Sequence, residues 1–82
     1  MNRLQSFEHE VRMASIAREE CAEYSLIWHT ARATMLLNAM SPDEMLKISE
    51  EVFNTFSELD LDVCELLDRE EQVMNAADEV SA

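Results

Sequence analysis

Residues 41–80 read SPDEMLKISEEVFNTFSELDLDVCELLDREEQVMNAADEV, and this stretch decides the fold. It opens with a helix start. Ser41 suits the cap, Pro42 the first helical position, and Glu44, three residues after the cap, completes a capping box. From Met45 a heptad seam follows through Ser49, Val52, Phe56, Leu59, Val63, Leu66, Glu70, Val73, Ala77 and Val80. Its steps alternate between four and three residues, and only Ser49 and Glu70 interrupt the apolar run. A seam of this period specifies a coiled-coil or bundle helix. The pattern predicts a helix from about residue 42 to about 77, with a weak point near Asp60, where Ser57, Asp60 and Asp62 compete for backbone hydrogen bonds. Residues 78–82 are expected to fray.

Working back from Ser41, residues 2–40 contain neither glycine nor proline. Asn2 or Ser6 can cap a helix there. Leu4, Phe7, Val11, Ala14, Cys21, Trp28 and Met35 fall on one seam, though Arg18, Ser25 and Arg32 occupy intervening seam positions. A second apolar strip, Met13, Ile16, Ala17, Tyr24, Ile27 and Ala31, runs beside it. The reading is one helix over about 3–39, apolar around more than half its circumference. Asn38 to Pro42 form the break, since a residue before proline is pushed out of helical geometry. A short connection folds the two helices back antiparallel.

The fold class expected is therefore all-α: one domain over 1–82, an antiparallel two-helix hairpin with its turn at 38–42. Two rods share one seam and cannot cover the remaining apolar positions, so the hairpin is expected to dimerise into a four-helix bundle. Docking on a different protein is the other outcome. The chain of 82 residues is 48% apolar and has no glycine. Lack of glycine starves it of the tight turns a sheet protein needs. The interface residues expected from this pattern are Tyr24, Ile27, Trp28, Met35, Phe53, Phe56, Leu67 and Met74.

Charge divides unevenly. The net charge is −12, from 18 acids against 6 lysines and arginines. Residues 1–40 hold five acids and four basic residues, and 41–82 hold 13 acids with only Lys47 and Arg69. Glu44, Glu51, Glu58, Asp62 and Glu65 recur at helical steps and form an acidic stripe. A solvated face explains it; so does a surface for a basic partner, since a row of carboxylates approximates the charge spacing of a nucleic-acid strand. The same charge argues against direct contact with nucleic acid or an anionic membrane. No run of about 18 apolar residues predicts a membrane span, and no apolar h-region follows the first residues, so a cytoplasmic protein without a signal peptide is expected. Cys21 and Cys64 read as reduced, half-buried thiols.

Motifs with chemistry are sparse. His9, His29, Cys21 and Cys64 are metal-ligand types without metal-site spacing, so neither a metal nor a cofactor is expected. A Gly-rich phosphate loop needs glycine. A hairpin has no pocket in which Asp60/Asp62 or Glu70/Glu71 would become an acid–base pair.

Residues 41–52, SPDEMLKISEEV, resemble part of the small sporulation-regulator aspartyl-phosphatase hairpins, whose second helix carries a Ser-Gln-Glu-Leu-Asp signature. The matching residues here are Ser49, Glu50, Glu51, Val52 and Phe53. Phe53 stands where that family has its essential aspartate, so phosphatase activity is not implied. The two-helix outline also resembles the dimeric RNA-binding hairpin that regulates plasmid copy number, and the acidic second helix speaks against carrying over its RNA contacts. The expectation that remains is a non-enzymatic acidic regulatory or adaptor protein of inhibitor or chaperone type. It would bind another protein through an exposed apolar helical face. The alternative is a nucleic-acid mimic whose acidic helix occupies the basic site of a DNA- or RNA-binding protein.

Overall fold

The computed structural model describes residues 2–81, with side chains described over 2–69. Among the described residues it contains four helices and no strand: α1 (Arg3–Glu19), α2 (Glu23–Ala39), α3 (Pro42–Leu46) and α4 (Glu50–Ser81). The chain is all-helical, as the sequence implies, but the two-helix hairpin is replaced by a three-helix arrangement. α1 and α2 form a hairpin, and α4 packs against both.

The break at residues 20–22 is the largest departure from the expected helix over 3–39. Glu20 keeps right-handed geometry, and Cys21 then adopts a left-handed backbone with φ of 57°. The Ala22 N–H donates to the Ala17 carbonyl at 2.9 Å, and the Cys21 N–H donates to that of Arg18 at 3.2 Å. These two bonds make a Schellman motif, which satisfies carbonyls that a helix end leaves open. Glycine normally occupies the left-handed position; a Cβ there costs roughly 1–2 kcal/mol. Ala17 and Ala22 both pack into the core, and that burial offsets part of the cost.

A second break separates α3 from α4. The capping box at Ser41 forms as expected, with the Glu44 N–H donating to Ser41 Oγ at 3.3 Å and the Ser41 N–H to Glu44 Oε1 at 3.2 Å. The helix it starts lasts only to Leu46. Ser49 then restarts the chain, its hydroxyl accepting from the Val52 N–H at 3.2 Å. That is the geometry of an N-cap. Beyond it α4 runs unbroken through Asp60. Ser57 Oγ and Thr55 Oγ1 donate back to the carbonyls of Phe53 and Glu51. These hydroxyls therefore bond within the helix rather than ending it. α4 also extends to Ser81, further than the expected end near residue 77.

Directions follow from cross-links at the two ends. The Arg3 guanidinium donates to the last carbonyl of α2, Ala39, at 2.6 Å and reaches Glu44 at 3.4 Å. At the other end Arg18 lies 3.3 Å from Asp62. α1 and α4 therefore run parallel, with α2 antiparallel between their ends. The core is Phe7, Val11, Ala14 and Ala17 of α1, Leu26 and Ala33 of α2, Met40, and Phe56, Leu59 and Val63 of α4. The Phe7 and Phe56 rings meet at 5.3 Å. Val52 and Leu66 pack against its edges, so the heptad seam of α4 is the core seam from Val52 to Leu66. At the rise of an α-helix, α4 is ~48 Å long and α1 or α2 only ~26 Å. α4 thus sets the longest dimension of the molecule, 52 Å.

Candidate functional site

The break at Cys21 rotates α2 away from the register that α1 sets. The seam of Phe7, Val11 and Ala14 continues in α2 not at Trp28 and Met35 but at Leu26, Thr30, Ala33 and Leu37. Trp28 and Met35 consequently turn outward. α2 buries one side against α1 and α4 and presents Tyr24, Trp28, Ala31 and Met35 on the other. Tyr24 is 85% exposed, Met35 71% and Trp28 47%. The steps between the four are four, three and four residues, a second heptad seam on the solvent side of the helix.

The remaining expected interface residues distribute as follows. Ile27 is half-buried and packs against the core. Phe53 and Leu67 are exposed on α4. Glu58 and Asp62, which reach Arg18, mark the flank of α4 nearest α1. On the helix circumference Phe53 and Leu67 lie across the core seam from them, on the flank toward α2. Phe56 is a correction: it is buried against Phe7 and belongs to the core, because the intramolecular third helix covers a position that a hairpin would leave for a partner. Met74 lies outside the residues whose side chains are described. Leu46 and Leu61 are also exposed. Scattered single apolar residues of this kind are ordinary.

A polar cluster that sequence reasoning missed lies behind this face. Glu10 is only 7% exposed, inside the α1–α2 contact. His29 Nδ1 lies 2.6 Å from Glu10 Oε2, and Arg32 Nε donates to Glu10 Oε1 at 3.1 Å. The Arg32 guanidinium carbon in turn sits 4.8 Å from the centre of the Trp28 ring, and Trp28 meets His29 edge-on at 4.8 Å. The first of these is a cation–π distance. A buried carboxylate needs such partners, since an unpaired one carries a large desolvation penalty. Here the pairing also fixes the orientation of the exposed indole. The available signal was spacing: Glu10 lies three residues after Phe7 and four before Ala14, on the apolar side of α1, and His29 and Arg32 are three apart on one side of α2.

The acidic stripe is partly answered within the chain. Glu44 is engaged in its capping box and reaches Arg3, while Glu58 and Asp62 lie 3.8 and 3.3 Å from Arg18. Glu51 and Glu65 are exposed. Glu65 borders a shallow cleft of about 230 Å3 between the α1–α2 turn and α4, which Arg18, Cys21, Asp62 and Arg69 also line. Another, of about 200 Å3, lies between Val11 and Val52. A third, of about 330 Å3, opens beside Arg32, Met35 and Leu36 on α2. All three are open to solvent, whereas a ligand pocket encloses most of its ligand. Cys21 and Cys64 are exposed rather than half-buried, Cys21 because it stands in the turn between α1 and α2 and Cys64 because it lies off the core seam of α4. Among the described residues no three His, Cys, Asp or Glu side chains converge as a metal site. No helix among the described residues is long and apolar enough to cross a membrane.

In comparisons with known proteins, the chain matches no family model, no curated protein and no solved structure.

Proposed function

We propose that this chain is a non-enzymatic regulatory or adaptor protein that works by binding protein, using the outer face of α2 and the adjoining flank of α4. The observation that carries the reading is the solvent-facing seam of Tyr24, Trp28, Ala31 and Met35. Three large apolar side chains on one side of one helix exceed what a solvated face requires. Tyrosine and tryptophan are the residue types that dominate binding energy where proteins meet. The indole is also pre-oriented by Arg32 and His29, which lowers the ordering cost of association. The dimeric four-helix arrangement expected from the sequence belongs to the same reading, with the pairing made through α2.

Capture of proteins from a lysate of the source organism on immobilised chain tests it. A protein partner retained by the wild type and lost with Trp28→Ala or Met35→Ala, at unchanged helix content, is the expected result. Retention by both variants would refute this choice of face.

The nucleic-acid mimic is a second reading, favoured by the eleven acids against one arginine along α4. It requires a basic partner whose affinity falls steeply with salt and is lost when Glu51, Glu58, Asp62 and Glu65 become glutamine. Because Arg3 and Arg18 already face Glu44, Glu58 and Asp62, the stripe offers less unanswered charge than its sequence suggests.

A further inference from the structure

We infer that the occupant of the outer α2 face is the same face of a second copy of this chain, paired antiparallel. The inference rests on the protein-binding reading above and names its partner.

The order of side-chain sizes along the seam favours antiparallel pairing. About a twofold axis crossing α2 midway between residues 29 and 30, an antiparallel pair sets Tyr24 opposite Met35 of the second copy and Trp28 opposite Ala31 of the second copy. The axis repeats both layers in reverse. A large ring therefore meets the small residue in the two central layers, and a flexible thioether meets a phenol in the outer ones. Parallel pairing would stack Trp28 on Trp28 and leave a gap between the two Ala31 residues. Self-complementarity of one patch is what a twofold interface requires.

Charge favours the same face. Each copy carries a net charge of −12. Two such copies repel each other, and most surfaces would bring acids together. α1 and α2 are the exceptions: on α1 three arginines offset three glutamates, and on α2 Glu23 and Arg32 balance, with Arg32 bonded to Glu10. Of the two, α1 exposes only Ile16 among its large apolar residues, so the neutral apolar seam is on α2. Meeting through α2 keeps the two acidic α4 helices away from the central seam. A basic protein would be drawn to α4 instead, so the neutral, apolar face fits a copy better than a basic partner.

The extent of the face limits the strength of pairing. α2 is ~26 Å long, and one helix of that length falls short of the ~800 Å2 per partner of a standard interface. Phe53 and Leu67 on the neighbouring flank of α4 are separated by the exposed Asp60 at seven-residue steps, so they add apolar area only at the margin, and the interface is a small one of the kind that associates weakly.

The test is sedimentation equilibrium of the full chain at up to ~100 µM, where an interface of micromolar affinity is populated. The expected mass is twice the 9.5 kDa of the chain. Association should tighten as salt screens the acidic helices. Ala31→Glu sets a carboxylate against Trp28 of the second copy and should weaken the dimer at least ~10-fold while helix content holds, because Ala31 is exposed and glutamate favours helix. Met35→Glu is the second variant, with the same expectation. Orientation is read by cross-linking after Cys21→Ser and Cys64→Ser, using one chain with Tyr24→Cys mixed with another bearing Met35→Cys. A 24–35 disulfide is expected. Links of 24–24 or 35–35 would overturn the antiparallel geometry, and a dimer indifferent to both glutamate variants would overturn the face. A monomer that captures a lysate protein in a Trp28-dependent way overturns self-pairing and leaves the protein-binding reading standing. A monomer that captures nothing overturns both.

Discussion

α2 and α4 treat their apolar residues in opposite ways. α4 carries one apolar seam and turns it inward: Val52, Phe56, Leu59, Val63 and Leu66 meet the core, and acids cover much of the remaining surface. α2 carries two seams on opposite sides. Leu26, Thr30, Ala33 and Leu37 face in, while Tyr24, Trp28, Ala31 and Met35 face out, with charge close to balance. A helix with one seam contributes to its own fold. A helix with a second, uncovered seam has apolar area left after folding, and burying it requires another molecule.

The contrast can be broken most sharply at Leu59, which is fully buried. Leu59→Ala should cost about 2–4 kcal/mol in urea unfolding, through lost transfer energy and the cavity left behind. Met35→Ala on the outer seam of α2 should leave the stability of the single molecule within about 0.5 kcal/mol, because its side chain is mostly wet already. Equal losses at the two sites would mean that the outer seam is buried within one chain. Next is Glu10→Ala, which strips His29 and Arg32 of their shared acceptor. Arg32 is half-exposed. The loss should therefore be moderate, about 1–3 kcal/mol, read as an earlier thermal midpoint.

Two substitutions should sharpen the contrast by improving the inner side of α2. The Thr30 hydroxyl is buried and among the described residues finds no hydrogen-bond partner. Thr30→Val, nearly the same shape, should stabilise by about 1 kcal/mol in chemical denaturation. The left-handed Cβ of Cys21 stands at the entry to α2. Cys21→Gly relieves it and should also stabilise, by up to about 1 kcal/mol. If Cys21→Gly destabilises instead, the freedom that glycine gains in the unfolded chain outweighs the relief.

The seam of α4 was legible because a single heptad run has one reading. The α1–α2 break was not, because a cysteine holds a position usually signalled by glycine, and burial of Ala17 and Ala22 rather than local propensity favours the turn. Its trace was Arg18, Ser25 and Arg32 at positions the uninterrupted register assigned to the seam: polar residues at apolar positions mark a helix that has changed phase. Ser49 was the same kind of clue, a break in the second seam that proves to cap α4. Tyr24, Trp28, Met35, Phe53 and Leu67 were legible as surplus apolar residues, yet which side of the helix they occupy depended on that phase change. Glu10 was hidden because a carboxylate on an apolar stripe passes for surface until its partners on the next helix are known.

Trp28 is the only tryptophan in the chain. Its ring is half-wet, with a guanidinium above it and an imidazole at its edge. All the indole emission of the protein therefore originates on the outer face of α2. Without any label, its wavelength registers whether water or another surface lies against that helix, and accessibility to a soluble quencher such as acrylamide reports the same thing independently.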